Sequence, residues 1–360
     1  MIVGIHPRFP KQKDPEMDIY RLILEHNDIE VLELNINQPD FWYKIKSLDL
    51  FIFKWAHVDD NKQIAKAILP IIENSFKIKC FPNQSSCWHY DDKVRQFYLL
   101  QAAELPVVNS WVFYDRETAL KSLKSIPFPL VFKLSSGAGS LNVKLIKDQK
   151  HAERLINLMF RKGITEGHWG LLHLLQVYQN NWYKTLKHIA KAIFKMPYPP
   201  TGTEKWQIHK NYVYFQEFLD HNQYDTRVTT AGNRAHAFRR FVRNGDFRAS
   251  GSNNWDINVN HIDMRMVELA LSISKRFNFQ SMAYDFLLDS NNEPKIVEMS
   301  YLYGGAGFPD FMNGYWDENL FWHEGRFWPQ YFELVDLLGL QNLKMPKIEM
   351  NTPYSKANIH

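Results

Sequence analysis

Two carboxylates, Asp285 and Glu298, fall where a pair of strands would hold them face to face. The stretch Ser281–Gly305, SMAYDFLLDSNNEPKIVEMSYLYGG, reads as two strands joined by the polar turn Asp289-Ser290-Asn291-Asn292. Tyr284, Phe286 and Leu288 alternate on one face, which turns Asp285 to the other. Ile296, Glu298 and Ser300 share a face on the return strand. A turn centred on Asn291–Asn292 sets Asp285 opposite Glu298. Like charges so placed repel. A hard cation such as Mg²⁺ between them would relieve the repulsion, holding water and nucleotide phosphate in its other positions. The hairpin alone also admits two hydrated acids that splay apart.

A second stretch, FPLVFKLSSGAGSLNVKLI at Phe128–Ile146, could hold an anion. A strand over Leu130–Leu134 carries Lys133. The loop Ser135-Ser136-Gly137-Ala138-Gly139-Ser140 leads into a strand over Asn142–Ile146. Small residues let consecutive backbone N–H groups approach a phosphate. A strand follows where a Walker loop or dinucleotide fingerprint needs a helix, so the loop is neither; a plain flexible turn is the alternative. Lys93 stands in the first turn of a helix predicted over Asp91–Glu104, against the helix dipole. A ligand or solvent could offset it there.

The elements that position these residues are those of a mixed α/β chain. At 360 residues the length fits two or three domains. Met1–His6, Ile29–Leu34, Leu48–Trp55 and Ile78–Phe81 read as strands, and Leu48–Trp55 (LDLFIFKW) is as apolar as a buried parallel strand. Asp18–His26 and Asn61–Ser75 read as helices between them. In such sheets ligands sit outside the carboxyl ends of the strands, where the loops His6-Pro7-Arg8 and Lys54-Trp55-Ala56-His57 place Arg8 and Lys54 as candidate substrate contacts. Further on, His151–Lys162 and Ile262–Phe277 read as helices and Tyr212–Leu219 as a strand. Asp225–Thr230 and Arg234–Val242 read as two more, and Trp328–Leu338 as a last helix. Residues 341–360 read as a loose polar tail.

Composition narrows the function. The net charge of +4 suits anionic small molecules and is too small to indicate nucleic acid. No apolar run approaches the length of a membrane span, and the N-terminus reads as a first strand, not a signal peptide. The two cysteines, Cys80 and Cys87, give no disulfide framework, so a cytoplasmic setting is expected. With His89 they match no standard zinc spacing.

In order along the chain come the helix lysine Lys93, the strand lysine Lys133 with its Gly-rich loop, and the strand Gln216-Glu217-Phe218-Leu219. The Asp225-x-Arg227 strand, the Arg239-Arg240 strand and the Asp285/Glu298-x-Ser300 hairpin follow. This ordered set, over roughly residues 90–310, resembles the ATP-grasp ligases, in particular the glutathione-synthetase-like and ribosomal-protein glutamate ligase branches. The resemblance implies an α/β and α+β architecture: an N-terminal Rossmann-like pre-ATP-grasp domain over 1–88, then a two-lobed ATP-grasp domain over 89–340. The lid lobe would span about 128–218, with a helical insertion at about 165–210.

It also implies roles. Lys93 and Lys133 would contact nucleotide phosphates, and Ser135–Ser140 would close over them. Glu217 and Phe218 would form the hinge at adenine, with Asp225 near the ribose. Arg227, Arg240 and Arg248 would surround the γ-phosphate and acyl-phosphate. Asp285, Glu298 and Ser300 would hold Mg²⁺, or Mn²⁺ in its place. The chain departs from the family twice: Ser300 stands where a metal-binding Asn is usual, and Ser250 where an Asn usually follows the arginine matched to Arg248.

The activity so implied is ATP-dependent ligation of a carboxylate to an amine through an acyl-phosphate. The departures leave a second reading, a catalytically weak ATP-grasp protein that binds nucleotide to regulate or scaffold. A nucleotide-sugar glycosyltransferase could share the acid pair but not the ordered lysine, loop and hinge. One more stretch bears on partners. In Trp182–Met196 (WYKTLKHIAKAIFKM), a helical period puts Lys184, Lys187, His188, Lys191 and Lys195 on one side. Trp182, Leu186, Ile189, Ala190 and Ile193 fall on the other. Such a helix packs on its own domain or lies at a membrane interface. The second case would put the protein at the inner face of the membrane and its substrates on lipid carriers, as in surface-polysaccharide assembly. Trp316, Phe321, Trp322, Phe327 and Trp328 would then offer a face to a sugar. Expected partners are ATP, carboxylate and amine small molecules or glycans, and a second copy in a homodimer.

Overall fold

Short β-branched and aromatic runs near the N-terminus pair into a four-stranded parallel sheet. In this computed structural model, which describes residues 1–7, 15–55, 59–137, 143–165, 208–243, 245–252, 254–303, 312–348 and 358–359, the strands are Ile2–Ile5, Glu30–Glu33, Leu50–Ile52 and Lys79–Phe81. Glu30–Glu33 lies at one edge, followed by Ile2–Ile5, Leu50–Ile52 and Lys79–Phe81. The apolar run at 48–55 forms only three residues of regular strand. Phe53, Lys54 and Trp55 continue it as fully or almost fully buried chain, with Phe53 N–H donating to Phe81 O. The helices Pro15–His26 and Asp59–Pro70 follow the first and third strands.

By internal packing the described chain forms two units. The larger comprises Met1–Ala56, Asn61–Val108 and Leu219–His360; the smaller comprises His57–Asp60 and Asn109–Phe218. Residues of the first sheet pack against the later chain. Phe51, Phe53, Trp55 and Tyr90 share one hydrophobic core with Val228, Tyr284, Met299 and Tyr301. Tyr301 OH donates to Trp55 O, and the Trp55 and Tyr301 rings lie 5.5 Å apart. Burying that aromatic surface on both sides joins the two sheets into one body.

The second sheet of the larger unit runs Pro294–Ser300, Ser281–Leu288, Tyr224–Ala231, Arg234–Phe241 and Asn254–Asp256, then Asn358–Ile359. Helix Met264–Phe277 buries Val267, Ala270 and Ser274 against one face, where Ser274 Oγ meets Tyr284 OH at 2.7 Å and Thr230 Oγ1 at 2.8 Å. Strand alternation leaves Arg227, Asp285 and their in-line neighbours on the other face. Residues 341–348 are not the loose tail expected. Leu343 is buried, its carbonyl accepts from Tyr331 OH, and Lys344 exchanges two hydrogen bonds with Asn27.

In the smaller unit an antiparallel sheet runs Ser110–Phe113, Val213–Glu217, Leu130–Lys133, Val143–Ile146. Helices Arg116–Ser122 and Gln149–Arg161 cover it, each opened by an aspartate N-cap, Asp115 and Asp148. The expected insertion at about 165–210, with the amphipathic stretch 182–196, lies almost wholly outside the described residues. No described helix is long and apolar enough to cross a membrane.

Candidate active site

The hairpin brings Asp285 and Glu298 opposite each other, as the alternation predicts, by a different route. The turn centres on Asn291 alone, with Leu288 opposite Pro294 and Phe286 opposite Ile296. A bulge between Asp285 and Phe286 then shifts the register and restores the pairing of the two acids.

Cations from neighbouring elements surround this pair. Arg227, on the adjacent strand and in register with Asp285, donates Nε to Oδ1 at 2.7 Å and Nη2 to Oδ2 at 2.8 Å. Arg240 Nη2 reaches Asp285 Oδ2 at 2.8 Å, while its Nε and Nη2 form a second fork on Asp225, each at 2.7 Å. Lys93 Nζ lies 3.2 Å from Glu298 Oε1. This explains a lysine at the first position of helix Lys93–Ala102: the Glu298 carboxylate offsets the unfavourable dipole. The helix has its own cap, Asp92, which accepts from Arg95 N–H at 3.1 Å.

The two aspartates titrate in opposite directions. Burial raises the Asp285 carboxyl, but Arg227 and Arg240 more than reverse it and hold it well below the ordinary carboxylate range. Asp225 ends above its ordinary value, because burial and the Asp285 charge outweigh the pull of Arg240. Arg240 is itself buried, which lowers it, and the two aspartates carry it above its ordinary value. Asp225, partly buried, therefore serves as a counter-charge of Arg240.

The donor set suits a small hard cation. Each carboxylate oxygen has two lone-pair sites. Asp285 Oδ1 accepts one N–H, and Glu298, 34 % exposed, meets Lys93 through Oε1. Both acids therefore keep acceptor capacity on the same face. Ser300 Oγ donates to Leu302 O at 2.6 Å and accepts from Leu302 N–H at 3.2 Å, leaving one lone pair. Arg248 lies in a separate pair, its Nε and Nη2 forking onto Asp246 at 2.5–2.9 Å. Arg243 Nη2 donates to the carbonyl of Ser250.

In the smaller unit, Lys133 Nζ donates to Gln216 Oε1 at 2.6 Å. Gln216 Nε2 in turn donates to Ser110 Oγ and Tyr214 OH, each at 3.2 Å. The loop after Lys133 is anchored by residues the sequence reading missed. Ser135 N–H donates to Tyr212 OH at 2.8 Å, and the buried His209 ring meets Ser135 Oγ at 3.3 Å and Ser136 Oγ at 3.2 Å. Gly137 has φ of 120°, which favours glycine. His209 and Tyr212 gave one signal, a His and a Tyr flanking the start of a strand, and that is too common to single out. Glu217 accepts from Asn109 Nδ2 at 2.8 Å, and partly buried Phe218 is the last residue of the smaller unit. Arg8, Ala138, Gly139 and Ser140 lie outside the described residues.

Lys54 is wholly buried, 3.1 Å from Glu16 Oε2 and with its ammonium over the Tyr303 ring, so it faces the interior and not a substrate loop. The expected sugar face is mostly core: Trp316, Phe327 and Trp328 are buried, while Phe321 is exposed. Their aromatic surface goes into packing with His236, Phe332 and Trp322. Cys80 and Cys87 are free, buried thiols. No cluster of three or more metal-ligating His, Cys, Asp or Glu occurs among the described residues.

Two sheets that share one core, with a face of paired acids and arginines, define the class of protein: the chain has the ATP-grasp fold. It is similar in structure to the D-cycloserine synthetase DcsG (12% identity over 95% of this chain and 100% of that one, TM-score 0.53). It is also similar to the ATP-grasp ligase PsnB, solved with minimal precursor, Mg and ADP (12%, 86% and 92%, TM-score 0.51). Biotin carboxylase from Campylobacter jejuni shares the fold too (11%, 97% and 72%, TM-score 0.54). No family model matches the chain, and no curated protein matches it in sequence.

Proposed function

We propose that the chain is an ATP-dependent ligase that joins a carboxylate to an amine through an acyl-phosphate. The observation that carries this is the Asp285–Glu298 pair, held in register on one sheet face and flanked by Arg227, Arg240 and Lys93. PsnB, solved with Mg and ADP, supports ATP and Mg²⁺ as the nucleotide and metal. A free carboxylate resists attack by an amine. Transfer of the γ-phosphoryl group to a carboxylate oxygen creates a leaving group: the amine nitrogen then bonds to the acyl carbon, the C–O bond to phosphate breaks, and inorganic phosphate departs with the electron pair. Catalysis of such transfers is mostly positioning and charge neutralisation.

Asp285, Glu298 and Ser300 would hold Mg²⁺, which supplies charge neutralisation at the phosphate oxygens. Arg227 and Arg240 present permanent, planar charge suited to a transferring phosphoryl group. Lys93 and Lys133 would meet phosphates, and the Ser135–Ser140 loop would exclude water from the acyl-phosphate. Glu217 and Phe218 would meet adenine, and Arg248 the γ-phosphate.

The test is acid-dependent ADP release across a panel of carboxylic acids and amines, with an ¹⁸O-labelled carboxylate for any acid that responds. Transfer of label to inorganic phosphate is the expected result. ATP binding without ADP release for every acid would overturn the ligase reading in favour of a nucleotide-binding regulator.

A further inference from the structure

The loop that follows Lys133 starts on a bracket made by two aromatic side chains. Ser135 N–H donates to Tyr212 OH at 2.8 Å. The His209 ring meets both serines: Nδ1 lies 3.3 Å from Ser135 Oγ, and Nε2 lies 3.2 Å from Ser136 Oγ. Tyr212 OH closes the bracket, 2.9 Å from His209 Nδ1. His209 is 1% exposed and Ser136 4%. These bonds therefore form away from water, where each is electrostatically stronger and its loss costs more.

The bracket stands on the helix Gln149–Arg161. Just after that helix, Ile164–Thr165 pairs with Ile208–His209, with His209 opposite Ile164. Asn211 N–H donates to Met159 O at 3.0 Å, and Gly163 N–H donates to Leu158 O at 2.8 Å. Gly163 has φ of 75°, and a Cβ there would lie 2.6 Å from the His209 carbonyl oxygen. Glycine is what lets the two backbones approach so closely. Met159 and Ile164 share one core with Phe132 and Leu134, the neighbours of Lys133. The strand that carries Lys133 and the bracket that receives its loop thus rest on the same packed interior.

This arrangement bears on phosphate binding. Backbone N–H groups cradle an anion only when successive peptide planes are turned toward it. Ser135 is held at both its N–H and its hydroxyl, and Ser136 at its hydroxyl. Together these bonds set the direction in which the chain leaves Lys133. The Ser135 N–H itself goes to Tyr212, so its part is to orient the loop. Orientation set before a ligand arrives lowers the ordering cost of binding it.

We propose that His209 and Tyr212 are positioning residues for nucleotide phosphate, acting through Ser135 and Ser136. This rests on the reading of the loop as the phosphate-binding part of an ATP-dependent ligase. The assay is calorimetry on the full chain with MgADP and with AMP, which lacks the β-phosphate. His209→Phe removes the ring nitrogens and keeps a ring in the core. Tyr212→Phe removes the acceptor of Ser135 N–H and the contact to Nδ1. Each variant loses at least two hydrogen bonds, so each should weaken MgADP binding about tenfold or more and AMP binding less than about twofold. If His209→Phe does not fold, Tyr212→Phe carries the comparison. Equal weakening of both nucleotides would mean a merely structural role and would overturn the proposal. So would unchanged MgADP affinity in the folded variants, or a wild type that binds MgADP no tighter than AMP. Acid-dependent ADP release bears on the ligase reading alone, because a nucleotide-binding regulator would use the same bracket.

Discussion

Replacing Arg240 by methionine should destabilise the fold far more than replacing its partner Asp225 by asparagine. Arg240 is 6% exposed at its side chain and forks onto Asp225 while reaching Asp285. Removing it leaves Asp285 with Arg227, but takes from partly buried Asp225 the side chain that pairs with it. Breaking a buried pair in this way costs about 3–5 kcal/mol. In Asp225→Asn, by contrast, Arg240 keeps Asp285 and an amide oxygen to donate to. The Asp225 carboxyl already sits above its ordinary pKa, so its charge is a net burden in the folded state and its loss should cost no more than about 1 kcal/mol. The sign of the pH dependence follows. In Arg240→Met the folded pKa of Asp225 rises further above its unfolded value. The unfolding free energy therefore falls as pH rises toward the folded pKa, by up to about 1.4 kcal/mol per pH unit. The deficit against wild type should be smaller at pH 5 than at pH 8. Urea unfolding of both variants at the two pH values, followed by far-UV circular dichroism, measures it. Equal losses in the two variants, or a deficit that grows on acidification, would refute the reasoning.

Glu298→Gln should abolish acid-dependent ADP release with little loss of stability. Asp285→Asn should also lose activity but lower the urea midpoint at pH 7. Its depressed pKa marks stability that is present above the unfolded value and lost as pH falls through the folded one. Lys133→Met should weaken ATP binding by calorimetry, and should destabilise the fold by about 1–3 kcal/mol because Gln216 Oε1 loses its buried donor. Cys80 and Cys87 should resist iodoacetamide until the protein unfolds. Burial raises both thiols, Cys87 to about 12, so thiolate is scarce in the folded state; alkylation of either cysteine in native buffer, by peptide mass mapping, would contradict this. Ser300→Asn should retain ADP release if Ser300 serves as an oxygen donor; loss of release with the fold intact would show that its bonds to Leu302 matter more.

The sequence by itself determined what depends on near neighbours. Alternation of Tyr284, Phe286, Ile296 and Ser300 placed Asp285 and Glu298 on one face. The apolar run around Leu50–Ile52 announced a buried parallel strand, and the Ser/Gly loop after Lys133 followed from residue type. These signals survive because side-chain period is a local property of helix and strand. Even so, the register of the two acids was reached through a bulge that no residue in the hairpin announces.

The tertiary structure alone decided which charges meet. Lys93 reads as a solvated lysine until Glu298 arrives beside it from far along the chain. Lys54 reads as a loop residue until Glu16 and the Tyr303 ring enclose it. Asp225 shows no partner in the sequence, and strand pairing brings Arg240 to it. The aromatics at 316–328 read as a binding face until the core takes most of them. An ion pair or an unmet buried group depends on which distant elements pack together, and on the cost of removing each charge from water once they do. Thr229 and His236 are ordinary residues in the sequence, and only strand pairing and burial leave Thr229 Oγ1 and His236 Nε2 without a hydrogen-bond partner among the described residues.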